Sequence, residues 1–451
     1  MYTKKEIKKI ITEKGINLIS VSYIDFASKH RAKANNIKYL DETLNEGIRF
    51  AKGNFQMTQL TGLANTYGNY SPASGETNAI PDLSTFVIND YAPKVAKFIG
   101  NLHELNGSPW NLCTRRPLQK ALEIAKKQGY KYIAGGELEF HLVNKINGVI
   151  KEVDTGEVQS QHGLDINHNI LQQFINSLQS IDIPVPKVHM EGGGKALGHV
   201  EINLEHAEAL RTGDMLIHTK DVLKAIAKKN NMICSFMPKI SEFHTGSGMH
   251  IHSSLWNNNG ENEFYDSKDK RGYNLSQNAY YFIGGLLSHI KALCAICCPS
   301  INSYKRLVPG NWNSDGIIWS LGNRAAAVRV PEQFNHNSAR IELRIPDSSA
   351  NPYMVIACIL IAGLDGIKNK IDPGKPFDLD LSDEISLRKA GIKLLPGTLR
   401  EALDELENDV VLTNILGKEL VEEYIKNRRF ECIQYASKVT DWEQENLLEL
   451  V

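Results

Sequence analysis

An excess of charge of either sign is what this chain most plainly lacks. Its 51 lysines and arginines face 52 aspartates and glutamates, a net charge of −1 over 451 residues. No broad field therefore invites a nucleic acid or a membrane surface, and small molecules must be recognised by local groups. Cysteines are few: Cys113, Cys234, Cys294, Cys297, Cys298, Cys358 and Cys432 sit mostly among apolar residues, as small core side chains of a reduced protein do. Cys294 and Cys297 make a C-x-x-C, but no second pair follows at a zinc-site spacing, which argues against a zinc or redox role. The stretch Met1 to Ile7 lacks the apolar run of a signal peptide, and no window is expected to reach the roughly 18 apolar residues of a membrane span, so cytoplasmic residence is the expectation. Two nucleotide motifs are missing as well. Gly192-Gly193-Gly194-Lys195 looks like the end of a P-loop, yet Ala196 follows the lysine, and no G-x-G-x-x-G follows a strand; the glycines read as a loop joining Glu191 to Glu201.

What is present is an α+β pattern long enough for two domains. Apolar spacing predicts helices over Lys4–Lys14, Leu40–Ile48, Pro117–Gln128, Leu210–Lys229, Tyr280–Ile296 and Pro352–Ile367, the last two buried. Strands are expected over Asn17–Ile24 and Met232–Pro238, a loop over Thr61–Asn78 and a turn at Trp256–Gly260. The tail, Thr398–Leu406 and Gly417–Tyr435, reads as charged helices with a solvated face. A boundary near Gly107-Ser108-Pro109 divides a small N-terminal domain, 1–107, from a large one, 108–451.

Four short stretches carry the chemistry. Glu137 and Glu139 alternate with Leu138, Phe140 and Leu142; His250, His252 and Ser254 with Ile251 and Leu255; Glu201 and Asn203 with Val200, Ile202 and Leu204; and Arg340, Glu342 and Arg344 with Ile341, Leu343 and Ile345. A strand's side chains have a period of two, so each polar set points one way. One such set is commonly the wet side of an antiparallel strand. Four sets rich in Glu, His and Arg point instead to cation and phosphate binding.

Glu137, Glu139, Glu191, Glu201, His250 and Glu342 offer five carboxylates and one imidazole. Two like charges 4 Å apart repel by about 4 kcal/mol at an effective dielectric near 20, so converging carboxylates need cations or protons. Oxygen-rich coordination with one nitrogen suits Mg²⁺ or Mn²⁺, and the pool is large enough for two ions. Arg306, Arg324, Arg329, Arg340 and Arg344 add guanidinium forks of the kind phosphoryl transfer uses, so an ATP-using ligase fits.

These segments resemble the glutamine synthetase family over nearly the whole chain. Gly136-Glu137-Leu138-Glu139-Phe140 is similar to its paired-glutamate strand, Gly198 to Asn203 to its G-Q-x-E-x-N segment, and Gly246 to His252 to its G-S-G-M-H-x-H segment. Tyr304 to Gly310, Asn323 to Pro331 and Arg340 to Asp347 follow in family order. The resemblance implies a small β-grasp domain before a large catalytic domain with a curved antiparallel sheet. It implies that Glu139, Glu191 and Glu201 hold one metal and Glu137, His250 and Glu342 a second, nearer the ATP phosphates. It further implies that Gly246, Arg306 and Arg344 seat glutamate, that His252, Ser254, Arg329 and Arg340 face ATP, and that Arg306, Arg324 and Arg344 serve phosphoryl transfer. The implied reaction activates glutamate as γ-glutamyl phosphate, which an amine then attacks. The implied assembly is a homo-dodecamer of two stacked hexameric rings.

Two departures concern the amine. Ammonia-using members carry an aspartate in an F-D-G-S-S loop and a glutamate just after the P-G of R-L-V-P-G; here Ala51 and Trp312 stand at those places. Losing two acids weakens the hold on ammonium, whereas an indole can pack an alkyl group and attract its ammonium by roughly 0.5–2 kcal/mol. Methylamine is the first expectation, with a polyamine, ethanolamine or, if Glu46 or Asp315 supplies the missing charge, ammonia as alternatives. A glutamate-binding nitrogen sensor without turnover is the non-enzyme reading. The family's adenylylation tyrosine has no match in Asp378 to Asp383.

Overall fold

The computed structural model describes residues 2–58, 69–146, 149–152, 157–191, 198–308, 316–332, 335–377 and 384–450. Its first sheet has five strands, β1 (Leu18–Ile24), β2 (His30–Asn36), β3 (Ile48–Ala51), β4 (Glu76–Pro81) and β5 (Val95–His103), in the order β2-β1-β5-β4-β3 with a parallel β1/β5 pair at its centre. This is the small β-grasp unit the resemblance implies. The helix Lys4–Glu13 starts in a capping box between Thr3 and Glu6. Its Ile7 and Ile11 cluster with Ile19, Ala96 and Phe98.

The loop expected over 61–78 needs correction at its end. Residues 61–68 lie outside the described residues, and Glu76, Thr77 and Asn78 are strand, paired with Ala51, Phe50 and Arg49. Polar composition misled here because Thr77 is buried with its hydroxyl donating to the carbonyl of His103 at 2.8 Å.

The second sheet comprises β6 (Lys131–Ile146), β7 (Val149–Glu152), β8 (Lys187–Met190), β9 (His199–Asn203), β10 (Ala207–Glu208), β11 (Ile233–Ser235), β12 (Met249–Trp256), β13 (Trp319–Leu321), β14 (Val328–Val330) and β15 (Ile341–Leu343). Its main path runs β13-β14-β15-β12-β6-β9-β8, while β7, β10 and β11 pair with other parts of the 16-residue β6. All its ladders are antiparallel except β13/β14. The strand expected over Met232–Pro238 shrinks to Ile233–Ser235, since Met237 N turns back to Ser235 Oγ and Pro238 has no N–H to pair.

The helices Gln277–Cys297 and Pro352–Asn369 pack together at the centre, as expected of buried helices. By length and composition both could cross a membrane, contrary to the expectation that no window would. Buried shares of 72% and 78% show that their apolar surface lies inside the protein. Gly285 lets them meet: a Cβ there would fall 2.1 Å from the carbonyl oxygen of Ala362. The main apolar cluster is continuous across both sheets, joining Val21, Phe50 and Leu102 to Leu138, Val200 and Ile251.

In the tail, Leu399–Asn408 has the charged solvated face expected of it, but the helix Lys418–Ala436 needs correction. It buries Glu423, Asn427, Arg428 and Glu431 beside Leu420, Tyr424 and Ile425. Arg428 donates to the carbonyl of Phe26 and to Glu431, both at 2.6 Å, and Glu423 receives Gln56 Nε2 at 2.6 Å and the amide of Asn69 at 2.9 Å. The charges are buried because they find partners in the N-terminal segment.

Candidate active site

Alternation along β6 puts Leu138, Phe140 and Leu142 in the core, each fully buried, and turns Glu137, Glu139 and His141 to the opposite face. The neighbouring strands are in matching register. His250 lies opposite Glu137, Glu201 opposite Glu139, His252 opposite Glu342, and His189 opposite Glu201. One row of side chains therefore crosses β15, β12, β6, β9 and β8.

His250 Nδ1 lies 3.2 Å from Glu137 Oε2, and its Nε2 is 3.7 Å from Glu139 Oε1. His252 Nε2 is 3.0 Å from Glu137 Oε1. His189 Nε2 is 2.7 Å from Glu191 Oε2 and 3.8 Å from Glu201 Oε1. Among the described residues, three trios have ligand atoms within 4.8 Å of one another: Glu137, Glu201 and His250; Glu137, His252 and Glu342; and His189, Glu191 and Glu201. The trios take in five of the six sequence-derived metal candidates, group them differently from the resemblance, and bring in His189 and His252. Glu139 joins none of them; its Oε2 accepts the amide of Gly248 at 2.6 Å and its Oε1 faces His250 Nε2 at 3.7 Å.

Burial pushes the Glu201 carboxyl up to about 9, with the charges of Glu137, Glu139 and Glu191 adding to it. Burial also works against ionised Glu137, but hydrogen bonds from His250 and His252 outweigh it and hold that carboxyl well below its ordinary range. Glu191 is likewise lowered: burial opposes its ionisation most, but the contact with His189 and the charges of His189, His199 and His250 together outweigh it. Buried Asn203 Oδ1 and His189 Nδ1 have no hydrogen-bond partner among the described residues. Acids that repel, unused donor atoms and imidazole nitrogens fit hard divalent cations such as Mg²⁺ or Mn²⁺.

The arginines are held more tightly than the sequence suggested. Glu342 is fully buried and takes Arg329 Nη1 at 2.7 Å on one oxygen and Arg344 Nη1 at 2.6 Å on the other. Burial opposes its ionisation, but the Arg344 charge leads the effects that hold it at about 2. Arg344 Nε donates to the carbonyl of exposed Arg324 at 2.8 Å. Arg306, 2% exposed, braces the chain by donating to the carbonyls of Ile345 at 3.0 Å and Arg344 at 3.2 Å. Gly246 makes room for it, since a Cβ there would lie 2.4 Å from Arg306 Cγ.

Beside the carboxylates opens a cavity of about 540 Å³ lined by Gly135, His252, Ser254, Trp256, Asn335 and Arg340, among others. Arg340 Nε reaches His252 Nδ1 at 3.3 Å, and Ser254 Oγ accepts Trp256 Nε1 at 2.9 Å. Three of the four candidate ATP-facing residues thus share a wall, while Arg329 is committed to Glu342. Trp312, the glycines Gly192 to Gly194 and Asp378 to Asp383 lie outside the described residues. Ala51 ends β3, half-buried. Sequence reasoning missed His189, although His189-Met190-Glu191 repeats the same polar-apolar alternation.

Residues 111–447 match the family model for the glutamine synthetase catalytic domain. The chain is 33% identical to a glutamine synthetase of Clostridium saccharobutylicum, covering 99% of each chain. It is also 33% identical to a glutamate–methylamine ligase of Methyloversatilis universalis, covering 98% of this chain and 99% of that one. Among solved structures, "Apo GmaS without ligand" superposes with a TM-score of 0.85 at 31% identity and "GmaS/ADP complex-Conformation 1" with 0.86 at 31%, each covering 98% of both chains. With the carboxylate row, the fold and these likenesses in agreement, the chain belongs to the glutamine synthetase family.

Proposed function

We propose that this protein is an ATP-dependent ligase that joins the γ-carboxyl of glutamate to a small amine, methylamine first, through γ-glutamyl phosphate. The observation that carries the reading is that the sequence combines the family's full carboxylate and arginine set with Ala51 and Trp312 at the two positions where ammonia users keep acids. The two curated relatives are equally similar, so the choice of amine rests on those two positions. The ADP complex among the structural neighbours supports ATP as the nucleotide.

In this reading the cavity walled by His252, Ser254 and Arg340 receives ATP, with Arg329 close by on Glu342. Glu137, Glu139, Glu191, Glu201, His250 and Glu342, joined by His189, hold Mg²⁺ or Mn²⁺. The bound cations supply positive charge to the transferred phosphoryl oxygens. Gly246, Arg306 and Arg344 shape the glutamate end, and Arg324, exposed at the edge, neutralises charge as the γ-carboxylate oxygen attacks the γ-phosphorus and ADP leaves. The amine nitrogen then attacks the acyl carbon and phosphate departs. Trp312 packs the alkyl group.

The division into 1–107 and 108–451, cytoplasmic residence and assembly as two stacked six-membered rings belong to the same proposal; native mass measurement tests the last. The reaction is tested by phosphate release with glutamate, ATP and Mg²⁺ across ammonia, methylamine, ethylamine, ethanolamine and putrescine, each product identified by mass. Methylamine should give a kcat/KM far above that of ammonia. Ammonia winning would make the enzyme a glutamine synthetase, and no phosphate release with any amine would favour the non-catalytic glutamate sensor.

A further inference from the structure

Beyond the acids, the polar face of the β6/β9 ladder continues. The next cross-strand pair is His141 opposite His199, with rings stacked at 4.2 Å and 7°, and His244 stands edge-on to His141 at 5.7 Å. All three are buried. Core imidazoles cost stability unless their nitrogens are partnered, and those of His199 are. Its Nδ1 lies 2.9 Å from Thr245 Oγ1, and its Nε2 lies 3.4 Å from Ser247 Oγ and 3.6 Å from Glu139 Oε2. That same Oε2 takes the Gly248 amide at 2.6 Å, whereas Oε1 faces His250 Nε2 at 3.7 Å. Glu139 is thus held from behind by one oxygen and offers the other to the cluster. Position 199 is where the family segment carries glutamine, so a stiff ring wedged between His141, Thr245 and Ser247 has replaced a flexible amide.

We propose that His199, braced by the stacked His141, is a positioning residue that fixes the Glu139 carboxylate so that Oε1 is presented to a divalent cation. The proposal rests on the cation-binding reading of the carboxylate row. Groups behind a metal ligand typically change metal affinity by about 10–100-fold when removed, because they set the ligand's orientation.

The test is titration of the purified full chain with Mn²⁺ in the absence of nucleotide, with free Mn²⁺ followed by electron paramagnetic resonance and folding by thermal melting. His199→Phe keeps the ring stack and removes both nitrogens; it should still melt cooperatively and bind Mn²⁺ about tenfold or more weakly. His199→Gln, which restores a hydrogen-bonding end, should recover most of the affinity. In a Glu139→Ala background, His199→Phe should cause no further loss. Unchanged affinity in His199→Phe, or an equal loss without Glu139, would overturn the positioning role alone. No Mn²⁺ binding by the unaltered protein would overturn the cation reading and this proposal with it. If His199→Phe does not fold, Thr245→Val decides: a weaker Mn²⁺ affinity supports the role and an unchanged one overturns it.

Discussion

Glu423 takes the side-chain amide of Gln56 at 2.6 Å although 367 residues separate them, and both are fully buried. The same carboxylate accepts the amide of Asn69 at 2.9 Å and Lys426 Nζ at 3.0 Å. The late helix therefore holds the first sheet's loops by charge-assisted hydrogen bonds in a dry setting. Removing the acceptor leaves at least two donors unpaired, at about 1.5–3 kcal/mol for a bond to a charged group. Glu423→Ala should lower unfolding stability by that amount in urea, with Gln56→Ala adding little once Glu423 is gone; additive losses would mean that the two do not act through this bond.

Glu342 holds two arginines and faces His252 across the ladder. If Glu342 is a cation ligand as proposed, Glu342→Ala should abolish phosphoryl transfer, a loss of at least about 100-fold in kcat, and it also takes the carboxylate from Arg329 and Arg344. Unchanged ATP turnover would remove Glu342 from the ligand set.

The Glu201 carboxyl, pushed up from an ordinary 4.5 to about 9, gives a definite pH dependence. Between those values the cation-free native protein keeps a proton that the unfolded chain has released, so stability is greatest below the lower value and falls as pH rises towards the upper one. Chemical denaturation from pH 5 to 9 in chelator should show that fall, and saturating Mg²⁺ or Glu201→Gln should flatten it. Calorimetry in buffers of different ionisation enthalpy should also register proton release when Mn²⁺ binds near pH 7.5. A pH-independent stability in chelator would contradict this account of Glu201.

Gly246→Ala would place its Cβ 2.4 Å from Arg306 Cγ and 3.0 Å from Arg306 Cβ, atoms too near the backbone to swing away. Overpacking of this kind costs about 1–3 kcal/mol. A lower melting temperature and a raised KM for glutamate are expected, and a variant that matches the parent in both would show that the chain at 246 yields freely.

How much of this was legible follows from what period-two alternation does and does not carry. It named Glu137, Glu139, Glu201 and His250 because each strand reveals its own two faces. It could not say which residue stands opposite which, and so it gave no sign that His189 stands beside Glu191 and Glu201 or that one oxygen of Glu139 turns towards Gly248. The apolar stretches Tyr280–Ile296 and Pro352–Ile367 declared themselves as core helices, and the helices observed there run Gln277–Cys297 and Pro352–Asn369. Burial of Glu423 and Arg428 did not, because a charged side chain can be buried when its partner is near, and those partners, Gln56 and the carbonyl of Phe26, come from the far end of the chain.

The strand β6 pairs with five others, and its 16 residues set the register of nearly every group in the carboxylate row. It works as a ruler. Inserting or deleting one residue ahead of Glu137 would exchange Leu138 for the carboxylates on both faces at once, so the row cannot be retuned a position at a time by shifting the chain. Change without that penalty is left to residues off the ruler, such as Ala51 at the end of β3 in the first sheet, where a substitution leaves the register of the row untouched.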